Sequence, residues 1–201
     1  MRHFLISLIL MSGLLNPAFA QVQGVELDEP LNIEAFTLND QNGATFTQND
    51  LKDNWTLIMF GFNSCPDVCP FTLGNLEHAV SETSMRVRPD NVPKVVFVSV
   101  DPARDADVVT DYATFFHPDF RGVTGDRADI DRLIENTDSF YRLMRPNKDG
   151  YYEVQHSSAV SVIDPDGKIR AKLQPPFDAG LTAEFLARLQ ITYRKEKAKT
   201  N

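Results

Sequence analysis

Two stretches of this chain leave little choice of architecture. TLIMFGF, from Thr56 to Phe62, carries no charge and does not alternate between polar and apolar residues. A half-exposed strand alternates; a strand without alternation is covered on both faces. KVVFVSV, from Lys94 to Val100, reads as a second strand of this kind. Between them, FTLGNLEHAVSETSM places Phe71, Leu73, Leu76, Ala79 and Val80 close to helical spacing. Strand, helix and strand with both strands buried is the building unit of an α/β sandwich.

The flanking sequence extends this pattern. IEAFTLNDQNGATFTQNDL reads as a hairpin turning at Asn42-Gly43. DADVVTDYATFF, with Asp105 near its start, and ADIDRLIENT read as helices on either side of a short FRGVTG. FYRLMRP and YYEVQ read as strands around the turn Asn147-Lys148-Asp149-Gly150. SAVSVIDPDGKIRAKL is a strand, an Asp-Gly turn and a strand. LTAEFLARLQITYRK is a closing amphipathic helix, with Asp178 or Thr182 near its cap. The expected fold is α/β, with an N-terminal hairpin and a C-terminal hairpin added to the core.

A chain of 201 residues buries a substantial core as one domain. Its formal net charge of −8 argues against nucleic acid as a partner. The one basic cluster, YRKEKAKT at Tyr193–Thr200, reads as a solvated helix end. The first twenty residues differ from the rest. Arg2 precedes an apolar run from Phe4 to Leu15, and the segment closes on Ala18-Phe19-Ala20. The run is too short to span a bilayer comfortably and reads as a cleavable signal peptide. The expected division is therefore a signal peptide over 1–20, an N-terminal arm over 21–33, the folded domain over 34–196 and a tail over 197–201. Export places the mature protein in the periplasm, an oxidising compartment, as a soluble monomer. The alternative for residues 1–20 is an uncleaved anchor.

The chemistry concentrates in FGFNSCPDVCP, which holds the only two cysteines, Cys65 and Cys69. Pro66 and Pro70 disfavour helical geometry in the residue before each. The following helix is thus expected to begin at Pro70. Both sulfurs then lie at its positive end, where the thiolate is favoured. A cysteine pair between the first core strand and its helix is a thioredoxin-like arrangement. Three intervening residues, rather than two, tilt the pair toward a soft metal such as Cu(I) or Zn and leave a redox dithiol open. A disulfide staple across so short a loop would stabilise little.

Two sulfurs rarely complete a metal site, so a third ligand is expected. His3 lies in the leader, His78 two turns along the helix, and His117 at a helix end. His156, in VQHSSAV before a predicted core strand, stands where a loop can face the cysteines; the competing reading is a hydrogen-bonded loop histidine. Ser157 or Ser158 would orient its ring. Asp67 is either a weak extra ligand, a tuner of the thiolate pKa, or a solvent-facing turn residue. Asp101 reads as loop and helix-start structure, with support of the metal ligands as the alternative; Arg104 and Asp105 read as a surface pair or cap, and Tyr112, Phe115, Phe116 and Phe120 as core, with a docking face as the alternative.

FGFNSCPDVCPFTLGNL, VVFVSVDPARDADVVTDYATFFHPDFRGVTG and VQHSSAVSVIDPDGKI, in this order, together resemble the Sco/SenC family over roughly residues 34–190. The resemblance implies a thioredoxin-like fold. It implies one copper, Cu(I) or Cu(II), held by Cys65, Cys69 and His156. It also implies a metallochaperone that assists assembly of the dinuclear copper centre of cytochrome c oxidase, with subunit II or another copper enzyme as receiving partner. The same two cysteines carry the alternative, a thiol–disulfide oxidoreductase that reduces a partner's cysteines. Peroxide reduction at Cys65 is a third class, with no general-base motif beside it. Many family members keep a membrane anchor, whereas residues 1–20 read as cleavable here.

Overall fold

A computed structural model describes residues 23–200. The expected signal peptide lies outside the described residues. Six strands form the central sheet, and the two apolar runs are neighbouring interior strands of it. β4 (Thr56–Gly61) and β5 (Lys94–Ser99) pair in parallel along their full length. β6 (Arg121–Val123) continues the parallel part beyond β5. On the other side of β4, β9 (Val160–Ile163) and β10 (Lys168–Leu173) add the expected antiparallel hairpin.

Both faces are covered, as the absence of alternation in β4 requires. Leu57 and Met59 pack toward α1 (Val68–Ser84), α3 (Val109–Phe116) and α5 (Ala179–Thr200), among Leu73, Ala113, Leu186 and Leu189. Ile58 and Phe60 face the opposite side. There they meet Leu38 and Phe46 of the hairpin β2 (Thr37–Asn39) and β3 (Thr45–Thr47), and Ile130 and Leu133 of α4 (Arg127–Asn136). A separate two-stranded ribbon, β7 (Tyr141–Leu143) with β8 (Val154–His156), stands apart from the main sheet and pairs only with itself.

Four elements differ from the sequence reading. The N-terminal arm is a strand: β1 (Gly24–Asn32) pairs antiparallel with β10. Its residues are mostly exposed, so the pairing is made by backbone groups and leaves no apolar period to read. The helix expected over 105–116 is two helices, α2 (Pro102–Asp105) and α3, and Asp105 ends the first instead of starting the second. Pro102 starts a helix of its own because its missing N–H and fixed φ suit the first position. α1 starts at Val68, two residues before Pro70, whose ring is tolerated inside a first turn. α5 continues through the residues read as a tail, and Lys197 Nζ reaches Asp166 at 3.0 Å. Its cap is Asp178, which accepts from Leu181 N at 2.8 Å. Among the described residues, no helix is long and apolar enough to cross a membrane.

Candidate metal centre

The end of β4 delivers the chain to the C-terminal edge of the parallel strands, where sites gather in α/β folds. Asn63–Asp67 then turn into the N-terminus of α1. Cys65 lies in the turn and is partly exposed; Cys69 lies in the first helical turn and is fully buried. Cys69 N donates to Cys65 Sγ at 3.4 Å, one of the N–H groups that a helix start leaves without an intrahelical partner.

His156 arrives from the opposite side, at the end of β8. Its Nε2 lies 3.3 Å from Cys69 Sγ. Its Nδ1 lies 2.9 Å from the Ser157 carbonyl oxygen, which can only accept, so Nδ1 carries the proton and Nε2 presents a lone pair. The ring is oriented by this backbone carbonyl and not by a serine hydroxyl; Ser157 Oγ instead accepts from Phe140 N. Phe62 meets the imidazole edge-on, with ring centroids 5.9 Å apart.

The ligand atoms of Cys65, Cys69 and His156 all lie within 4.8 Å of one another. Donors bound at the usual metal–sulfur and metal–nitrogen distances stand roughly 3.5–4 Å apart, so small side-chain adjustments close the set around one ion. Two soft sulfurs with an imidazole suit copper, and no fourth histidine, cysteine or carboxylate joins the group among the described residues, as a closed zinc site would need.

The two thiols are unequal. Cys65 is drawn down to about 4 by the hydrogen bond from the Cys69 thiol, with help from the Asp67 and Cys69 N–H groups and against the cost of burial. Cys69 is pushed up, because it supplies that hydrogen bond and is buried. The Cys69 proton thus lies between the Cys65 sulfur and the Nε2 lone pair of His156, and a bound metal ion would displace it. A lowered pKa keeps the thiolate down to about pH 4, and reactivity falls only below that. At pH 5.5 an ordinary thiol is about one thousandth thiolate; the weaker nucleophilicity of a low-pKa sulfur offsets about a hundredfold. Iodoacetamide should therefore label Cys65 about tenfold faster than a free thiol at pH 5.5, at a rate nearly flat to pH 8, and leave Cys69 unlabelled. A rate climbing tenfold per pH unit across that range would contradict the assignment.

The other singled-out residues lie elsewhere or act differently. His78 is exposed beside Glu77, and His117 caps α3. Asp67 is the exposed N-cap of α1 and does not join the ligand group. Phe115 is 84% exposed, in contrast to Tyr112, Phe116 and Phe120, which pack into or against the core. Arg104 and Asp105 are no surface pair: Asp105 is buried and accepts from Asn63 N at 2.8 Å and Ser99 Oγ at 2.5 Å. This fastens the cysteine turn to β5. A groove of about 510 Å³ opens beside the candidate ligands Cys65 and His156, lined also by Phe62, Val68, Phe140 and Tyr151 among others. A cavity of about 600 Å³ at the start of β5 holds none of them.

A family model described as SCO1/SenC matches residues 26–190. An SCO2-like protein of Rickettsia felis is 40% identical over 135 residues, 66% of this chain and 64% of that relative's length. The crystal structure of Arabidopsis thaliana ScoI with copper bound superposes with a TM-score of 0.73 at 27% identity, covering 80% of this chain and 98% of that one. The structure of Bradyrhizobium japonicum ScoI with copper bound gives 0.68 at 31% identity, covering 79% and 99%.

Proposed function

From the premise that the chain belongs to the SCO1/SenC family, we propose that it is a periplasmic copper metallochaperone. It holds one copper through Cys65, Cys69 and His156 and assists assembly of the copper centre of cytochrome c oxidase. The observation that carries this reading is the convergence of the three donor atoms from two segments 87 residues apart in sequence. The copper-bound ScoI structures support the choice of ion. Export rests on the sequence of residues 1–20, and the receiving partner, subunit II of the oxidase or another copper enzyme, rests on the family resemblance.

The site can do two things with its cargo. Two thiolates suffice for Cu(I), and the imidazole makes Cu(II) acceptable as well. The half-exposed Cys65 faces the open groove, so a partner's sulfur can approach the ion from that side.

The reduced protein, mixed anaerobically with one equivalent of Cu(II), should bind one copper and develop an intense sulfur-to-copper band. His156→Ala should lose the band and weaken Cu(II) binding by more than the roughly 10–100-fold that a supporting hydrogen-bond partner is worth. Full Cu(II) affinity in His156→Ala would sink the proposal.

A second reading is favoured by the unequal thiols. The Cys65 thiolate attacks a partner's disulfide, releasing one partner thiolate and forming a mixed disulfide. Cys69 then gives up its proton and displaces the second partner sulfur, leaving a Cys65–Cys69 disulfide and a reduced partner. If copper were only reduced, two Cu(II) for each Cys65–Cys69 disulfide closed and so at most half the protein oxidised by one equivalent, equally with and without His156, the second reading would stand instead.

A further inference from the structure

His156 sits on a ribbon that has no hydrogen-bonded neighbour in the main sheet, so its distance from the cysteines is set by side chains together with the short link, residues 157–159, to β9. The end of the ribbon that carries His156 is held through Tyr141, its register partner, whose hydroxyl meets Asp131 and Arg127. Val154 adds a buried apolar contact. The segment that leads into the strand carrying His156 is held through Tyr152, four residues before it.

Asp101 is the N-cap of α2 but makes no side-chain capping bond. Its carboxylate, 0% exposed, instead accepts the Tyr152 hydroxyl at 2.9 Å on both oxygens and pairs with Arg104 Nε. Arg104 Nη1 donates to the Tyr152 carbonyl at 3.2 Å. The flat guanidinium lies over the Tyr152 ring, 4.0 Å from its centroid, and 5.4 Å from the centroid of Phe62. Phe62 is the ring that meets His156. Arg104 is thus packed between the residue that leads into the cysteine turn and the residue that leads to the histidine. A planar cation with directed donors fits such a position where an ammonium would not.

We infer that Asp101, Arg104 and Tyr152 form a clamp that positions His156 against the cysteine pair and thereby sets how well the site accepts Cu(II). The inference rests on His156 being a copper ligand. The three residues touch no ligand atom; they are positioning residues acting through the ribbon and through Phe62. A loosened clamp leaves Cys65 and Cys69 in place and so spares Cu(I). It withdraws the imidazole, which Cu(II) needs more. General damage to the fold would weaken both ions together.

The test compares the full reduced protein with Tyr152→Phe, which removes only the hydroxyl, and Arg104→Lys, which keeps the charge and removes the plane. Three readouts are taken: Cu(II) affinity with its sulfur-to-copper band, Cu(I) affinity, and amide hydrogen exchange of the metal-free protein. Both variants should weaken Cu(II) roughly tenfold and leave Cu(I) within about twofold, because a partner that orients a ligand is worth about that much. Exchange should quicken across residues 141–156 and stay unchanged in β4 and β5. Wild-type Cu(II) affinity in both variants, or equal losses of Cu(I) and Cu(II), would overturn the clamp. Failure of the unaltered protein to bind copper would overturn the proposed function instead; exchange would then decide the clamp alone, and unchanged exchange in both variants would overturn it.

Discussion

Gly61→Ala is expected to cost the protein most of its affinity for both Cu(I) and Cu(II), by roughly a hundredfold, while the chain still folds. Gly61 is the last residue of β4, and the Cys69 sulfur packs directly against it. A Cβ at this position would stand 2.6 Å from Cys69 Sγ and 2.7 Å from Phe97 Cε2. Carbon and sulfur settle near 3.5–4 Å, so the sulfur must retreat by about 1 Å. Phe97 is fully buried in the same cluster and offers little room. Crowding of this kind costs about 1–3 kcal/mol, which a domain of ordinary stability survives. A metal site does not tolerate the same shift, since its donors must hold their distances to within about 0.2 Å. The signature is loss of both oxidation states, unlike His156→Ala or a loosened clamp, which act on Cu(II). Isothermal titration with each ion beside thermal unfolding checks it; wild-type Cu(I) affinity in Gly61→Ala would show that the sulfur has another seat.

What the sequence disclosed was what short-range pattern can carry. The unbroken apolar runs of β4 and β5 specified buried parallel strands, and Asn42-Gly43 and Asp166-Gly167 marked two turns whose glycines take φ of 82° and 75°. The cysteine turn followed from its place after β4, whereas Pro70, read as the first helical residue, lies inside the first turn of α1. His156 stood out because it precedes a core strand, and the family resemblance made it a ligand candidate. β1 was illegible because it is an edge strand joined by its backbone, with no fully buried residue except Gly24, which has no side chain, to leave a period. The clamp was illegible for another reason: Asp101 and Tyr152 are 51 residues apart, and nothing local in either marks the other. Phe115 was legible and missed. Val109, Tyr112, Ala113 and Phe116 form the stripe of α3 that faces the core, with the Tyr112 and Phe116 rings edge-to-face at 5.5 Å, and Phe115 falls off that stripe.

Arg170→Ala should show the reverse pattern, a large loss of stability with the copper site intact. Arg170, on β10, is only 7% exposed and donates to Asp164 at 3.0 Å and Glu196 at 2.8 Å, with Glu26 at 3.8 Å. Its guanidinium also lies 5.0 Å from the Tyr193 ring centroid. The one side chain therefore ties β1, the β9–β10 turn, β10 and α5 together. Asp164 is 0% exposed, and without Arg170 its carboxylate keeps only the backbone donors of Asp166 and Lys168. A buried carboxylate that loses its cation costs about 3–5 kcal/mol, well above the worth of an exposed pair. In a domain of this length that lowers the melting temperature by roughly 10 °C. The damage is remote from the metal ligands: Ile163, just before Asp164, pairs with Thr56 at the start of β4, and the cysteine turn leaves from the other end, roughly 17 Å along the strand. Copper stoichiometry and the sulfur-to-copper band should match the unaltered protein below the melting transition. A fall of less than about 3 °C would mean that the backbone donors at Asp164 carry the charge nearly alone. An altered band would mean that the sheet transmits strain from one end to the other, and the separation of scaffold from site argued from Gly61 would fail with it.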